Sequence, residues 1–285
     1  MSAQSDAMPA ASIIGPDAWL VALDIDGTTI HEDETLDQVV IDAVHRARAR
    51  GHEVTLATGR SWHTTEPILR ALGITPEYVV CANGAVIMRR MGDVFEGEGE
   101  PDYVRAHVET FDPSAVLVHI RTSLPDGRFM VELPDTSRLY TEGMVDWDLT
   151  NAREVPFGEL LGQEATRVVV VSPDHEIDDF LSIVEGMGLH QVSYAVGWTS
   201  WLDIAPHGVN KATALERVRG WLGGELDRVL VVGDGRNDID MFRWAAIEGR
   251  AVAMGQAPDE VKAAATEVTA PVDEGGLVPV LDSLP

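Results

Sequence analysis

Two acidic side chains stand two residues apart, directly after a short apolar run. The run Leu20–Asp24 predicts a buried strand, and Asp26 and Gly27 follow its carboxyl end. In a parallel sheet, that end opens into the crevice where ligands bind. Asp24 can attack phosphorus as a nucleophile, and Asp26 can donate a proton to the leaving oxygen and later accept one from water. For this pair alone, an acidic turn that caps the next helix is the alternative interpretation.

Two further segments carry groups that suit a phosphate. Thr58, Gly59 and Arg60 follow another predicted strand, where a hydroxyl and the N–H groups of a helix start can cradle an anion. Lys211 comes directly after Asn210 and opens a predicted helix. A positive charge in the first helical turn opposes the helix dipole, which indicates an anionic partner. Each segment alone is also compatible with an ordinary turn or an exposed lysine.

A second acidic group lies near the end of the chain. In residues 233–238, Asp234 ends a strongly apolar predicted strand and Asp238 begins the next helix. Helix capping accounts for Asn237 and Asp238 individually. It does not account for Asp234 in addition to the first acidic pair, because unpaired carboxylates at neighbouring strand ends repel one another. Carboxylate oxygens from two strand ends suit Mg²⁺, so the sequence predicts a magnesium site.

The elements that must position these residues follow an alternating pattern. Apolar runs separated by helical periodicity predict a parallel sheet buried on both faces. Thr35 and Gln38 fit a capping box for the first helix, with Gly51 placed to end it. A second helix is expected to stop at Gly73. The predicted strands of this pattern cover residues 20–24, 54–58, 78–82, 228–233, 251–254 and 267–269.

The middle of the chain differs. Ala115–Arg121 and Arg128–Leu133 flank Pro125–Gly127, which favours a hairpin. An α+β pattern continues with strands at 166–171, 190–196 and 198–204 and a helix at 175–187. The fold class predicted is α/β, a Rossmann-like parallel-sheet core with an inserted α+β cap domain. The predicted divisions are a disordered extension (1–16), the core (17–86 and 206–285) and the cap (87–205).

Taken together, the motifs resemble the haloacid dehalogenase superfamily, and specifically its Cof-type phosphatases with a large C2-type cap. The matching segments, in the family's order, are Asp24–Thr28, Thr58–Arg60, Asn83–Ala85, Gly208–Lys211, Gly233–Asp238 and Met254–Pro258. Asn210 stands where the family commonly has Ser or Thr, and Gln256 where it often has Asn. The resemblance covers nearly the whole chain after Pro16.

This resemblance implies roles for the matching positions. Asp24 would be the nucleophile and Asp26 the acid/base. The substrate phosphate would be held by four residues, namely Thr58, Gly59, Lys211 and Asn237. The metal, Mg²⁺, would be bound by four residues, namely Asp24, Asp26 through its backbone carbonyl, Asp234, and Asp238 in support. The cap would close over the site, exclude water and select the substrate.

Composition limits the partners. The net charge of −26 argues against nucleic-acid binding, because phosphate backbones are held by clustered Lys and Arg. Cys81 is the single cysteine and lies in an apolar run, so it is expected to be a buried packing residue in a reducing cytoplasm. No apolar stretch approaches the roughly 20 residues that span a bilayer.

We therefore expect a cytoplasmic, Mg²⁺-dependent phosphatase of a small phosphorylated metabolite, with a sugar phosphate as the favoured class. A phosphomutase that uses the same aspartyl-phosphate is the first alternative. A non-catalytic phospho-ligand sensor is the second, although a sensor has no need to keep Asp26. The sequence leaves the oligomeric state open.

Overall fold

The computed structural model describes residues 14–91, 102–142, 149, 151–189, 192–196 and 200–285. The predicted N-terminal extension lies outside the described residues except for its last three positions. The predicted strand starts at His190 and Trp198 also fall outside them. Within the described ranges, no helix is both long enough and apolar enough to cross a membrane.

The core sheet consists of parallel strands, as predicted. Its five members are β1 (Leu20–Leu23), β2 (Glu53–Leu56), β12 (Val229–Gly233), β13 (Arg250–Ala253) and β14 (Glu267–Val268). Their order is β14-β13-β12-β1-β2, and every neighbouring pair is parallel. Strand β3 (Tyr78–Cys81) continues this direction beside β2 through a parallel bridge between Ala57 and Val80. The strands lie within one or two residues of their predicted bounds.

Helices cover both faces of this sheet. They are α1 (Gln38–Ala49), α2 (Trp62–Leu72), α5 (Lys211–Leu222), α6 (Ile239–Ala245), α7 (Asp259–Lys262) and α8 (Leu277–Asp282). Val21 and Leu23 belong to the buried cluster that includes α1 and α8 side chains. Leu20 and Ala22 belong to the cluster that includes α5 and α6 side chains. Alternate residues of β1 therefore pack on opposite faces, which explains why the strand reads as a continuous apolar run.

Strands β4 (Val86–Arg90) and β5 (Tyr103–Val108) extend this part of the molecule. Both are antiparallel to their neighbours, in the order β3-β4-β5. Val86 and Met88 belong to the same buried cluster as α1 and α8. Strands β4 and β5 thus pack with the core elements, and the cap boundary after residue 86 stays a prediction.

A second, mixed sheet is formed by the middle of the chain. Its strands are β6 (Arg128–Glu132), β7 (Arg138–Tyr140), β8 (Ala152–Glu154), β9 (Arg167–Val171), β10 (Val192–Val196) and β11 (Trp201–Pro206). Their order is β10-β11-β9-β6-β7-β8, antiparallel except for β7 and β8. Helices α3 (Ser114–Ser123) and α4 (Ile177–Met187) cover one face. This confirms the predicted α+β insertion, here called the cap.

The predicted first strand of the cap, Ala115–Arg121, is wrong: it is helix α3. Leu117, Ile120 and Leu124 recur at helical spacing and are buried in the cap core. The Asp112 carboxylate accepts a hydrogen bond from the Ser114 N–H at 2.9 Å, which satisfies a free donor of the first turn. The segment Pro125–Gly127 turns the chain from α3 into β6, with no hairpin.

The predicted capping box is also wrong. Helix α1 begins at Gln38 with Asp37 as N-cap, and Asp37 makes no side-chain cap bond. The Thr35 hydroxyl donates to Asp33 Oδ1 at 2.6 Å, and Gln38 Nε2 donates to Asp42 Oδ1 at 2.8 Å. The side chains of Thr35 and Gln38 therefore bond to nearby carboxylates and not to the backbone N–H groups of a capping box.

Cys81 is fully buried, as predicted. Burial raises the pKa of its thiol to about 12, so the thiolate that would act as a nucleophile is suppressed.

Two neighbouring positions of α3 test its helical state. Leu117 is fully buried, whereas Val118 is 51% exposed. We expect Leu117→Ala to lower the free energy of unfolding by about 2–4 kcal/mol, because it leaves a cavity. Val118→Ala should be neutral or slightly stabilising, because alanine is the better helix former. Urea unfolding measures both. A clear loss of stability in Val118→Ala would contradict the helix, because an exposed strand position favours valine over alanine.

Candidate active site

Two buried carboxylates lie side by side at the carboxyl ends of β1 and β12. Leu23 pairs with Val232, and the Asp24 N–H donates to the Val232 carbonyl at 2.9 Å. Asp24 directly follows β1 and Asp234 directly follows β12, and they are 5% and 2% exposed. The strand register therefore brings together two acids that are 210 positions apart in the sequence.

A third carboxylate, Asp238, completes the group. One carboxylate oxygen from each of Asp24, Asp234 and Asp238 lies within 4.8 Å of the others. Asp238 Oδ2 accepts hydrogen bonds from the N–H groups of Asp234 and Gly235, both at 2.9 Å. Asp238 therefore shapes the loop that carries Asp234, and its supporting role at the metal stays a prediction.

Lys211 is the cation of this group. Its Nζ lies 2.8 Å from Asp24 Oδ1 and 2.6 Å from Asp238 Oδ1, and its side chain is fully buried. Burial alone would lower the pKa of Lys211, but attraction to Asp238 and Asp24 outweighs burial and raises the pKa. Lys211 is the first residue of α5, and the two carboxylates offset the unfavourable position of its charge there.

The charges of the group do not balance. Three carboxylates face one ammonium, which leaves two negative charges in excess in a buried space. Burial and the neighbouring Asp238 raise the pKa of Asp234 to about 7, and they also raise the pKa of Asp24. A divalent cation would supply the missing charge, and carboxylate oxygens are the ligands that Mg²⁺ prefers. The donor set therefore fits the predicted metal.

Gly27 and Gln256 fix the position of Asp234. Gly27 has φ 68°, and a Cβ there would lie 2.2 Å from Asp234 Oδ2, so only glycine fits. Gln256 Nε2 donates to the Gly27 carbonyl and, at 3.2 Å, to Asp234 Oδ2. Gln256 Oε1 accepts from the Val272 N–H at 3.1 Å. Gln256, a departure from the family pattern, thus holds a predicted metal ligand, a role that the sequence did not reveal.

The Thr58 loop lies next to Asp24. The Ala57 N–H donates to the Leu23 carbonyl at 2.8 Å, so the loop leaves β2 at the level of the acidic group. Thr58 is fully buried, and its Oγ1 accepts from the Arg60 N–H at 3.1 Å. Gly59 approaches the amides of Asn83 and Asn237 closely, since an added Cβ would lie 3.2 Å from Asn83 Oδ1.

Asp26 lies apart from the buried group. Its side chain is 54% exposed and forms an ion pair with Arg60, with Arg60 Nη2 2.6 Å from Asp26 Oδ1. Arg60 Nη2 also lies 2.8 Å from Glu34 Oε1. The acid/base role of Asp26 stays a prediction. Arg60 belongs to the Thr58–Arg60 segment, and the structure shows that it holds the Asp26 side chain.

A chain of hydrogen bonds connects the site to the cap. Asn237 Nδ2 donates to Asn83 Oδ1 at 3.0 Å, and Asn83 Nδ2 donates to Asp203 Oδ2 at 2.8 Å. Arg167 holds Asp203 through two bonds of 2.7 Å. Asn83 belongs to the matching segment Asn83–Ala85. No sequence signal distinguishes Arg167 or Asp203, because they meet only through the pairing of cap strands.

With this geometry established, the chain can be compared with known proteins. A family model described as haloacid dehalogenase-like hydrolase matches residues 21–281. The chain belongs to this family. The predicted resemblance is thereby confirmed, together with the assignment as an enzyme of the phosphatase type, since its named relatives in this family are phosphatases.

Two curated relatives and one solved structure illustrate the similarity. The 5-amino-6-(5-phospho-D-ribitylamino)uracil phosphatase YitU of Bacillus subtilis (strain 168) is 27% identical, over 91% of this chain and 94% of that protein. An HMP-PP phosphatase of Yersinia pseudotuberculosis is 26% identical, over 85% and 86%. A sugar phosphatase of haloacid dehalogenase subclass IIB superposes with a TM-score of 0.73 at 22% identity, covering 93% and 98%, which confirms the fold.

Two glycines with the same backbone angle test the fit of the metal site. Gly27 and Gly275 both have φ 68°, but only at Gly27 would a Cβ meet Asp234. We expect Mg²⁺ to raise the melting temperature of the wild type, because it binds only the folded state. Gly27→Ala should abolish this shift, whereas Gly275→Ala should keep it despite similar backbone strain. Loss of the shift in both variants would contradict the proposed contact.

The raised pKa of Asp234 predicts a pH dependence of stability without metal. A carboxyl whose pKa is about 7 when folded and about 3.8 when unfolded keeps its proton only in the folded state between these values. The free energy of unfolding should therefore fall as the pH rises through this window, by about 1.4 kcal/mol per pKa unit of difference. Urea unfolding in EDTA at pH 5 and pH 8 measures it. Asp234→Asn should flatten the slope, and an unchanged slope would assign the titration elsewhere.

Proposed function

We propose that the protein is a Mg²⁺-dependent phosphatase that releases phosphate from a small phosphorylated metabolite through an aspartyl-phosphate on Asp24. The observation that carries this proposal is the ion pair between the buried Asp24 and Lys211, with Nζ 2.8 Å from Oδ1, beside Asp234 and Asp238. A nucleophile that must approach an anionic phosphate needs fixed positive charge next to it.

The reaction requires two displacements. In the first, an Asp24 carboxylate oxygen forms a bond to phosphorus while the bond to the leaving oxygen breaks, and Asp26 gives that oxygen a proton. In the second, Asp26 takes a proton from water, and this water displaces Asp24 from phosphorus. The carboxylate of Asp24 is regenerated and inorganic phosphate leaves. Bound Mg²⁺ would supply charge that lets the anionic nucleophile and phosphate approach each other.

Several side chains have donors left for the phosphate. An ammonium has three N–H groups, and Lys211 directs two bonds to Asp24 and Asp238. The Asn237 amide has two N–H groups and gives one to Asn83. With the Thr58 hydroxyl and the Gly59 N–H, these donors would surround the equatorial phosphoryl oxygens. Asp24 and Asp234 would be direct metal ligands, joined by the backbone carbonyl of Asp26.

The proposed substrate is small, and a sugar phosphate is the favoured class. Asn83 and Asp203 connect the cap directly to the loops that would hold the phosphate. A relative acts on a phosphorylated ribityl compound, and a protein of similar fold is a sugar phosphatase. Both substrates carry their phosphate on a polyol or a sugar.

The nucleophile is tested by Asp24→Asn. We expect a folded protein whose phosphate release from p-nitrophenyl phosphate with Mg²⁺ falls roughly a thousandfold or more, a barrier increase of about 4 kcal/mol, because an amide cannot form the aspartyl-phosphate. Asp17→Asn is the matched control, since Asp17 precedes the same strand and is 97% exposed. EDTA should abolish the wild-type activity and Mg²⁺ restore it.

Two outcomes would refute this assignment. Turnover by Asp24→Asn within tenfold of the wild type would exclude Asp24 as nucleophile, and full activity after rigorous chelation would exclude the metal. Intramolecular phosphate transfer on a sugar phosphate, with no phosphate release, would identify a phosphomutase.

A further inference from the structure

Four polar side chains form one hydrogen-bonded series from the cap to the phosphate loops. The series runs Arg167–Asp203–Asn83–Asn237, with donor–acceptor distances of 2.7, 2.8 and 3.0 Å. It joins strands β9 and β11 of the cap to the loops that follow β3 and β12. These four residues are called the amide relay below.

We propose that the Asp203 carboxylate sets the direction of the amide relay, so that Asn237 presents an N–H group, and never its carbonyl, to the phosphoryl group. Asp203 is thus a positioning residue for phosphate binding, although it belongs to the cap. This inference rests on the proposed function, because it takes Asn237 as a phosphate ligand.

The direction follows from the donors and acceptors available. A carboxamide can exchange its donor and acceptor ends by a half-turn, whereas a carboxylate only accepts. Asn83 must therefore turn Nδ2 towards Asp203, which leaves Oδ1 towards the site. Asn237 must then turn Nδ2 towards Asn83 Oδ1. Reversing either amide would place two acceptors face to face and lose a hydrogen bond, which is unfavourable away from water.

Arg167 holds the acceptor end of the relay in place. Its Nε and Nη2 donate to the two oxygens of Asp203, and both side chains are 6% exposed. A guanidinium has only donors, so it cannot reverse the relay from the cap side. Asp203 Oδ2 accepts from both Arg167 and Asn83, which connects the two halves.

The backbone at Asn83 indicates that this position is under strain. Ala82, Asn83 and Gly84 have φ values of 50°, 51° and 100°, in the left-handed region. Such conformations are unfavourable for residues other than glycine and are retained where the surroundings impose them. A Cβ on Gly84 would lie 2.3 Å from the Asn210 carbonyl, so the loop fits closely against the start of α5.

The other end of Asn237 is also fixed. Its Oδ1 lies near Gly235, where an added Cβ would approach it to 2.5 Å. The carbonyl end therefore lies against the loop after β12, and the second Nδ2 hydrogen remains for an anion. A reversed amide would offer the phosphoryl group an acceptor and repel it.

Exchange of the two groups tests the direction of the Asn237 amide. It keeps a hydrogen bond between positions 203 and 83 and loses one of the two bonds from Arg167. Asp203→Asn removes the fixed acceptor, and Asn83→Asp places two carboxylates together. We expect each single variant to lose tenfold or more in kcat/KM, about 1.4 kcal/mol per tenfold. In the double variant Asp203→Asn/Asn83→Asp the bond between positions 203 and 83 is reversed, because the amide at 203 donates to the carboxylate at 83. That carboxylate still accepts from Asn237 Nδ2, so the direction of the Asn237 amide is restored. Its kcat/KM should exceed that of both single variants.

Two control variants separate the direction of the amide relay from kinetic effects of charge and of backbone conformation. Asn151 has φ 56°, so Asn151→Asp repeats the change in a left-handed residue away from the site. Asp135→Asn removes an exposed cap carboxylate that accepts from Ser137. Both controls should keep wild-type kinetics. A double variant whose kcat/KM does not exceed that of both single variants would overturn the proposal, as would single variants with unchanged kcat/KM.

A spectroscopic readout tests the relay without turnover. The sequence contains four asparagines, so a protein labelled with ¹⁵N-asparagine has four side-chain amide signals. We expect the Asn83 and Asn237 signals to be protected from hydrogen exchange, and Asp203→Ala to remove this protection in a folded protein. Adding inorganic phosphate with Mg²⁺ should shift the Asn237 signal in the wild type. Protection unchanged in Asp203→Ala would refute the relay, whereas an inactive wild type with both signatures would refute only the proposed function.

Discussion

Burial of one lysine among three carboxylates is the constraint on which the site depends. Burying any one of these four charged side chains alone would cost much free energy. Their burial together is possible because their charges partly compensate one another. Asp238 meets Lys211 and two backbone N–H groups, so its charge is well compensated. Asp24 shares Lys211 with Asp238, and no cation among the described residues lies equally close to Asp234. The negative charge of this group is therefore only partly compensated at the position where a cation and a phosphate would bind.

The sequence predicted the core well because its signals are local. Continuous apolar runs ending in acid identify buried parallel strands, and the register of β1 with β12 then brings Asp24 and Asp234 together. The cap was harder, because Ala115–Arg121 has the apolar content of a strand and only its spacing is helical. Thr35 matched a capping pattern, but a nearby carboxylate took its hydroxyl.

The rest of the site could not be predicted, because it arises from contacts between distant segments. Arg167 and Asp203 are 36 positions apart and meet through adjacent antiparallel strands. Gln256 reaches Asp234 from the loop after β13. None of these residues has a periodicity or a spacing that distinguishes it from a surface polar residue. In a chain of net charge −26, Lys211 and a bound divalent cation would together supply the local positive charge that an anionic substrate needs.

The return from cap to core is short. Strand β11 ends at Pro206 and α5 begins at Lys211, so four residues separate the cap sheet from the lysine that contacts Asp24. Asp203 lies on the same strand and contacts a core loop. Strand β11 thus pairs with cap strands, while its Asp203 side chain bonds to a loop of the core. A chimaera that exchanges caps between relatives should therefore be joined before Trp201, because a junction placed at residue 206 would separate Asp203 from the asparagines it orients.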